Sequence, residues 1–123
     1  MSPIPKAGTI INIPTIQKKA IQESANRLKK LLEKNLIKIV LYGSYARGDY
    51  NNFSDIDIFI LVSNKKEEIG QILNLISDEL FDLDIKYNVT INPVIENLQI
   101  YNDNKEYSIL FENIEKEGVV LYG

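Results

Sequence analysis

The sequence predicts an α/β domain: a small mixed β-sheet of three to four strands with helices packed on it. Two observations predict this fold class. Long segments carry apolar residues at intervals of three and four, which is typical of helices with one buried face. Between them lie short β-branched runs, which are typical of strands. The chain has 123 residues, of which 45% are hydrophobic, so we expect a single domain over residues 1–123.

The first half of the chain is expected to form a leader, a helix and two strands. Prolines and a glycine recur over residues 1–14, which predicts an extended leader. Residues 15–34 have the apolar spacing of a helix with one buried stripe. Residues 37–42 form a run rich in β-branched residues that stops at Gly43, which predicts a strand. A second strand is expected over 55–62, whose wholly apolar end is typical of a central strand covered on both faces.

The second half is expected to complete the sheet and its helices. Residues 65–81 carry apolar side chains at helical spacing. Residues 84–92 alternate apolar and polar side chains, which predicts a third strand with one buried face, ended by Pro93. Short helices over 96–102 and 106–116, followed by an edge strand, complete the predicted order.

The composition excludes several kinds of chemistry. The chain has no cysteine and no histidine, which excludes disulfides, thiolate metal sites, a cysteine nucleophile and the commonest general base. Any catalysis must therefore use carboxylates, hydroxyls, lysines, arginines, backbone amides or a metal bound by oxygen. The longest apolar run, residues 58–62, is far too short to cross a bilayer. The N-terminus lacks the layout of a secretion signal, so we expect a cytoplasmic protein without a membrane partner.

Charge is distributed unevenly along the chain. Residues 1–41 hold eight Lys or Arg against two Glu, a net charge of +6, whereas residues 42–123 hold six against fifteen, a net charge of −9. Two explanations remain open: a basic helix packed on an acidic body, or a basic face for an acidic partner or for phosphates. No direct nucleic-acid binding is expected, because the acidic remainder offers no extended basic stripe.

A glycine and a serine follow the first predicted strand, where a helical turn begins. Gly43 would let a phosphate approach the backbone without meeting a Cβ atom. The amides after it and the hydroxyl of Ser44 would form an anion site. Arg47, one turn further on, could reach the same phosphates. A Gly-Ser turn at the end of a strand is common, so alone it predicts little.

Two aspartates begin the second predicted strand. Asp55 and Asp57 are two residues apart, so their side chains point to one face. Such a pair often caps a strand or faces solvent, but two acids on one face of an apolar strand are costly unless something pairs with them. Mg²⁺ prefers oxygen ligands of this kind. Beside a phosphate cradle, the pair predicts a site for a nucleoside triphosphate and one or two Mg²⁺ ions, with displacement at the α-phosphate.

The order Gly43-Ser44, ten further residues and Asp55-x-Asp57 resembles the signature of the DNA polymerase β-like nucleotidyltransferase superfamily. The chain is similar to the minimal nucleotidyltransferase (MNT) domains of this superfamily in its short length and in the sequence of residues 43–49, Gly-Ser-Tyr-Ala-Arg-Gly-Asp. The resemblance extends, in element order, as far as the third predicted strand. It implies the nucleotidyltransferase fold, Mg²⁺ at the two aspartates, and contact of the triphosphate with the Gly-Ser turn.

The chain departs from the superfamily at a third carboxylate, which relatives usually supply from the next strand. The predicted alignment puts this catalytic position at Asn88. An amide there could bind a metal or orient a nucleophile, but it is a poor general base. Asp84 lies on the same face of the predicted strand, about 13 Å away. The resemblance therefore implies nucleotide binding with slow transfer.

The resemblance also implies a partner. MNT domains of this size resemble the antitoxins of two-component systems whose toxin is a HEPN-domain ribonuclease. This implies transfer of AMP from ATP to a tyrosine of a HEPN-domain partner, with a homo- or hetero-oligomer as the assembly. One alternative is a non-catalytic or weakly catalytic nucleotide-binding module that neutralises its partner by contact alone. Another is a free-standing transferase that modifies a small molecule.

Overall fold

The structure is a computed structural model that describes residues 12–123. The leader expected over 1–14 falls almost entirely outside these residues. The described elements are, in chain order, α1 (Thr15–Leu32), β1 (Leu36–Tyr42), α2 (Ser44–Arg47), β2 (Ile56–Val62), α3 (Ile69–Tyr87), β3 (Ile91–Asn97), α4 (Leu98–Asn104), α5 (Ile109–Glu117) and β4 (Val119–Tyr122). One short 3-10 turn follows α1 and another precedes α3 (Glu33–Asn35 and Lys66–Glu68).

The strands of residues 12–123 form one mixed sheet of four strands in the order β3-β2-β1-β4, which confirms the predicted fold class. β1 is antiparallel to both β2 and β4, whereas β2 and β3 are parallel. The end of β1 therefore lies beside the beginnings of β2 and β3. In this register Tyr42 lies opposite Asp57, and Asp57 lies opposite Asn92. Among the described residues β4 pairs only with β1 and is the edge strand that the sequence predicts.

Helices cover both faces of the sheet. α1 and α3 pack on one face, where Leu28 and Ile76 are fully buried together with Ile58 of β2. α4 and α5 pack on the other face, where the rings of Tyr101 and Phe111 meet the ring of Phe59. β2 is therefore covered on both sides, as its apolar sequence predicts.

Ion pairs tie the basic helix α1 to the acidic helix α3. Arg27 bridges Glu23 of its own helix and Asp82 of α3, at 3.0 and 2.5 Å. Glu23 also accepts hydrogen bonds from the Tyr87 hydroxyl at 2.6 Å and from Lys86 at 3.1 Å. These bonds, that from Tyr87 foremost, lower the pKa of Glu23 to about 2. Around Arg27, the charge pattern thus reflects a basic helix packed on an acidic body.

The third strand is the element for which the sequence prediction is wrong. Residues 84–87 form the last turn of α3, and Asn88 ends that helix in the left-handed conformation, with φ of 52°. β3 begins at Ile91 and continues through Pro93, the residue predicted to end it. Proline is tolerated there because, in the part of the chain that the structure describes, β3 is an edge strand paired with β2 alone and needs no amide on its outer side.

The other boundaries differ from the expected ones by a few residues. α4 and α5 begin two and three residues later than predicted, and β1 and β2 are shifted by one residue at their starts. α3 starts later and ends at Tyr87 rather than at 81. Within residues 12–123, none of the helices has the length and apolar character that crossing a membrane requires.

Candidate active site

Three polar side chains lie side by side where β1 ends and where β2 and β3 begin. Tyr42, Asp57 and Asn92 occupy paired positions on these neighbouring strands. The side-chain nitrogen Nδ2 of Asn92 donates a 3.0 Å hydrogen bond to Oδ1 of Asp57, whose side chain is half-buried. Asn92 thus fixes the orientation of Asp57 from the next strand.

The turn after β1 places its glycine directly against Asp57. Gly43 has φ of 79° and ψ of −155°, a backbone conformation that is essentially restricted to glycine. A Cβ atom at this position would lie 2.3 Å from Oδ2 of Asp57. The structure therefore brings the predicted phosphate turn and a predicted metal ligand into contact, and no side chain fits between them.

α2 is a single helical turn that starts immediately after this glycine. The amides of Ala46 and Arg47 donate to the carbonyl oxygen of Gly43 at 3.1 and 3.0 Å. The amide of Ser44 precedes the first bond of the helix and has no acceptor within it. The Ser44 side chain is only half-buried, so its amide and hydroxyl could both contact an anion placed beside the turn.

The guanidinium of Arg47 is held at the rim of the same turn. Its Nε lies 3.2 Å from a carboxylate oxygen of Asp49, and a terminal nitrogen lies 3.6 Å from a carboxylate oxygen of Glu117, at the end of α5. Its charge also acts on Asp57. Arg47 could therefore reach a phosphate bound at the turn by leaving its exposed acidic partners.

The two aspartates concentrate negative charge at the start of β2. Burial raises the pKa of Asp57, and the charge of Asp55 adds to this, against the lowering effects of the Asn92 hydrogen bond and of Arg47. Asp55 is exposed, and within residues 12–123 its side chain forms no hydrogen bond or ion pair. A divalent cation would relieve the repulsion between these two groups.

The donor set fits Mg²⁺ bound together with a phosphate. Among the residues that the structure describes, no group of three or more acidic side chains is arranged to hold a metal alone. Mg²⁺ commonly binds one or two carboxylates and takes further oxygens from substrate phosphates and water. Asp55 and Asp57 could supply the first part, and a triphosphate on the Gly43 turn could supply the second.

Asn88 is not part of this arrangement. It follows the last turn of α3 and lines a cavity of about 400 Å³ with Asn52 and the beginning of α1. Asp84 also lies in that last turn, where its Oδ1 accepts a 3.0 Å hydrogen bond from the amide of Ile91 and so ties α3 to β3. The position beside Asp57 on the third strand belongs to Asn92. The alignment of Asn88 with the third carboxylate is therefore wrong, because it depends on the wrong strand boundary.

Two residues of the site were not found from the sequence. Asn92 was placed at the end of the predicted strand, and only the pairing of β3 with β2 puts it beside Asp57. Tyr42 ends the first predicted strand, and antiparallel pairing with the second would have placed it opposite Asp57. Burial, and then the charge of Asp57, raises the pKa of Tyr42 to about 12, so its phenol stays protonated at neutral pH.

Comparison with known proteins identifies relatives over most of the chain. The family model described as "Nucleotidyltransferase domain" matches residues 21–121. Over 107 residues, the chain is 38% identical to "Putative protein adenylyltransferase MJ0604" of Methanocaldococcus jannaschii, which covers 86% of this chain and 98% of that protein. It is 35% identical over 80 residues to "Putative protein adenylyltransferase MJ0141" of the same organism, covering 61% of this chain and 74% of that protein.

Solved structures share the fold. A chain in the "Crystal structure of the toxin-antitoxin with AMP-PNP" matches with a TM-score of 0.55 and 22% identity, covering 83% of this chain and 73% of that one. A structure of "a putative nucleotidyltransferase from Sulfolobus solfataricus" matches with a TM-score of 0.53 and 19% identity, covering 95% and 86%. At these identities the likeness concerns the fold. The family model and the sequence relatives go further and confirm the predicted resemblance: the chain is a nucleotidyltransferase and belongs to the nucleotidyltransferase domain family.

Proposed function

We propose that the chain is an Mg²⁺-dependent protein adenylyltransferase that transfers AMP from ATP to a tyrosine hydroxyl of a HEPN-domain toxin partner and thereby acts as its antitoxin. In this proposal Asp55 and Asp57 bind the metal and are the catalytic carboxylates. Gly43, Ser44 and Arg47 bind the triphosphate.

One observation carries the proposal. The half-buried Asp57 lies against a glycine turn that has room for no side chain, and the neighbouring Asp55 adds a second negative charge. Holding two carboxylates close together without a contacting cation is unfavourable. Such an arrangement is useful when a cation and a polyphosphate complete it.

The proposed reaction is an in-line displacement at the α-phosphorus of ATP. The oxygen of the acceptor hydroxyl forms a bond to this phosphorus, the bond to the oxygen that leads to the β-phosphate breaks, and pyrophosphate leaves. The hydroxyl proton passes to solvent or to one of the two aspartates. Mg²⁺, when bound, would neutralise charge on the transferred and leaving groups. The Ser44 amide and Arg47 would hold the phosphates in place.

Support for the nucleotide and the acceptor comes from the relatives. Two sequence relatives carry the name protein adenylyltransferase. A structural neighbour is a toxin–antitoxin complex with AMP-PNP, an ATP analogue. The HEPN domain and the tyrosine follow from the sequence resemblance to MNT antitoxins.

Labelled ATP tests the proposal directly. We expect label from [α-³²P]ATP, but none from [γ-³²P]ATP, to become attached to a purified HEPN-domain partner, because AMP transfer retains only the α-phosphorus. EDTA should stop the labelling and added Mg²⁺ should restore it. Transfer of the γ-label would identify a phosphotransferase, and the absence of both labels from the partner would contradict the proposed reaction.

The amide side chain of Asn92, which lies beside Asp57 on the third strand, favours a second candidate function. Asn92 offers no carboxylate to accept the proton of the acceptor hydroxyl. A weakly catalytic or non-catalytic antitoxin could still bind nucleotide and neutralise its partner by contact. This candidate differs in a measurable way, because the toxin would then be neutralised without becoming labelled.

Replacing Gly43 tests the link between the proposed phosphate-binding turn and the proposed metal-binding aspartates. Gly43→Ala is expected to abolish detectable transfer, because its Cβ atom would displace the Asp57 carboxylate. It should also lower the free energy of unfolding by about 1–3 kcal/mol, the usual cost of such a conformation for a residue with a side chain. Urea unfolding and the labelling assay measure the two effects.

Gly48→Ala is the matched control for this prediction. Gly48 also has a positive φ, of 89°, but a Cβ atom there would have no neighbour within 4 Å. It should lose stability by a similar or smaller amount and keep its metal ligands in place. Equal losses of transfer in both variants would contradict the role given to the Gly43 contact.

A further inference from the structure

A large aromatic side chain stands in solvent beside the candidate active site. Phe53 is 93% exposed, more than any other large hydrophobic residue in the described part of the chain. It lies two residues before Asp55, and the chain between them can span at most about 7 Å. An object that covers this ring therefore also reaches the neighbourhood of the two aspartates.

The loop that carries Phe53 is ordered by its own hydrogen bonds. The amide of Phe53 donates to Oδ1 of Asn51 at 2.7 Å, and the amide of Asn51 donates to Oγ of Ser54 at 2.9 Å. A third bond, 3.2 Å long, joins the amide of Ser54 to the carbonyl of Asn51. These bonds order the backbone that carries the ring, so less conformational entropy of the loop backbone is lost when a partner binds.

The ends of this loop are also anchored. At its start, Tyr50 stacks on the buried ring of Tyr45, with centroids 4.6 Å apart. At its end, the amide of Ile56 donates to the carbonyl of Thr90 at 2.8 Å. The loop backbone at Phe53 is therefore anchored on both sides, next to the proposed metal-binding residues.

The charges around Phe53 indicate the chemistry of its partner. Asp49, Asp55 and Asp57 lie in or next to the same loop, and the nearby Arg47 is already paired with Asp49 and Glu117. A partner surface that buries the ring would meet these acids. Basic side chains around an apolar pocket would complement both features.

We propose that Phe53 is the docking residue for the protein acceptor: its ring enters an apolar pocket, bordered by Lys or Arg, on the protein whose hydroxyl receives AMP. This inference rests on the protein adenylylation proposed above. The acceptor oxygen must come within about 3–3.5 Å of the α-phosphorus. A rigid apolar anchor two residues from Asp55 would restrict where the acceptor surface can lie.

The variant Phe53→Ser tests this docking, with Tyr107→Ser as the matched control. Tyr107 is likewise exposed, at 83%, but it lies just before the start of α5. The end of α5 that reaches the candidate site is the opposite one, where Glu117 pairs with Arg47. Phe53→Ser should weaken binding to the HEPN-domain partner by at least about 10-fold, as the loss of an aromatic anchor commonly does. The KM for this acceptor should rise while kcat stays unchanged. Phe53→Leu should restore most of the affinity, and Tyr107→Ser should have no effect.

Nucleotide affinity separates this role from a contact with ATP. Binding of a fluorescent, non-hydrolysable ATP analogue with Mg²⁺ should be the same for the wild type and Phe53→Ser. A loss of analogue binding would assign the ring to the nucleotide and overturn the docking role, as would partner binding that is unchanged or that falls equally in the Tyr107 variant. If the wild type binds the partner but transfers no AMP, the proposed function fails, while the binding comparison still decides whether Phe53 docks that partner.

Discussion

A chain carrying both Asp55→Asn and Asp57→Asn is expected to transfer AMP at least about 10³-fold more slowly than the wild type. The reason is that bound metal contributes several kcal/mol to the transition state, and each 1.36 kcal/mol is about tenfold in rate. The Asn92 hydrogen bond to the side-chain oxygen of residue 57 can persist in this variant, so the fold should be kept. Initial rates of label transfer from [α-³²P]ATP measure the effect.

The matched control for this variant is Asp78→Asn combined with Asp103→Asn. Both residues are exposed aspartates outside the candidate site, and the double change alters the net charge by the same two units. It should transfer AMP at the wild-type rate. Slow transfer in the control would mean that net charge, rather than metal binding, explains the loss.

The stability of the Asp57→Asn single variant should move in the opposite direction from its activity. In the wild type without metal, the half-buried carboxylate of Asp57 is destabilised by burial and by the charge of Asp55, and within residues 12–123 it forms no ion pair; removing its charge removes this cost. We therefore expect a higher thermal midpoint in EDTA for Asp57→Asn than for the wild type. A lower midpoint would mean that the charge of Asp57 stabilises the fold, contrary to the reasoning that leads to a metal site.

The variant that carries both Asp55→Asn and Asp57→Asn also separates catalysis from neutralisation by contact. An antitoxin that acts through AMP transfer loses protection of the host cell against its toxin when both carboxylates are removed. A contact-only antitoxin keeps that protection. Coexpression of the toxin with the double variant and with its charge-matched control therefore decides between the two candidate functions.

The elements around the Gly43 turn could be predicted because local sequence determines them. β1 and β2 are mostly apolar, each with a single charged residue (Lys38 and Asp57), and α1 has a regular buried stripe. The spacing of Asp55 and Asp57 is enough to predict a shared face at the start of the second strand, although β2 begins at Ile56 and Asp55 immediately precedes it. For this reason the candidate metal ligands were identified without knowledge of the sheet order.

The boundary between α3 and β3 could not be predicted in the same way. Residues 84–92 alternate apolar and polar side chains, yet Ile85 is 68% exposed on the surface of a helix. The helix continues because distant residues support it: Glu23 of α1 binds both Lys86 and Tyr87. Asn88 then ends the helix in a left-handed conformation that asparagine adopts more readily than most residues. The asparagine at position 88 could have been recognised in the sequence as a helix end. The parallel pairing of β3 with β2, which puts Asn92 beside Asp57, could not have been predicted from the sequence.

The position of Asn92 leads to the second large effect, an increase in rate. Asn92→Asp is expected to accelerate AMP transfer roughly 10²-fold, at the lower end of what a general base contributes. A carboxylate there would lie within hydrogen-bond distance of Asp57 and could accept the proton of the acceptor hydroxyl. Affinity for ATP should change little, because the Gly43 turn and the first two aspartates bind the triphosphate. Transfer rates at saturating ATP, with Asn88→Asp as the control outside the strand, measure the effect.

The expected gain in rate carries a cost in the absence of metal. The amide that now donates to Oδ1 of Asp57 would be replaced by a third negative charge, so Asn92→Asp should have a lower thermal midpoint than the wild type in EDTA. Added Mg²⁺ should restore the midpoint, because a cation placed between the carboxylates converts their repulsion into ligation. A variant that recovers with Mg²⁺ but transfers no faster would show that Asn92 only orients Asp57 and that the proton leaves by another route. Faster transfer by Asn88→Asp would instead show that the third carboxylate position of the superfamily corresponds to Asn88, at the end of α3.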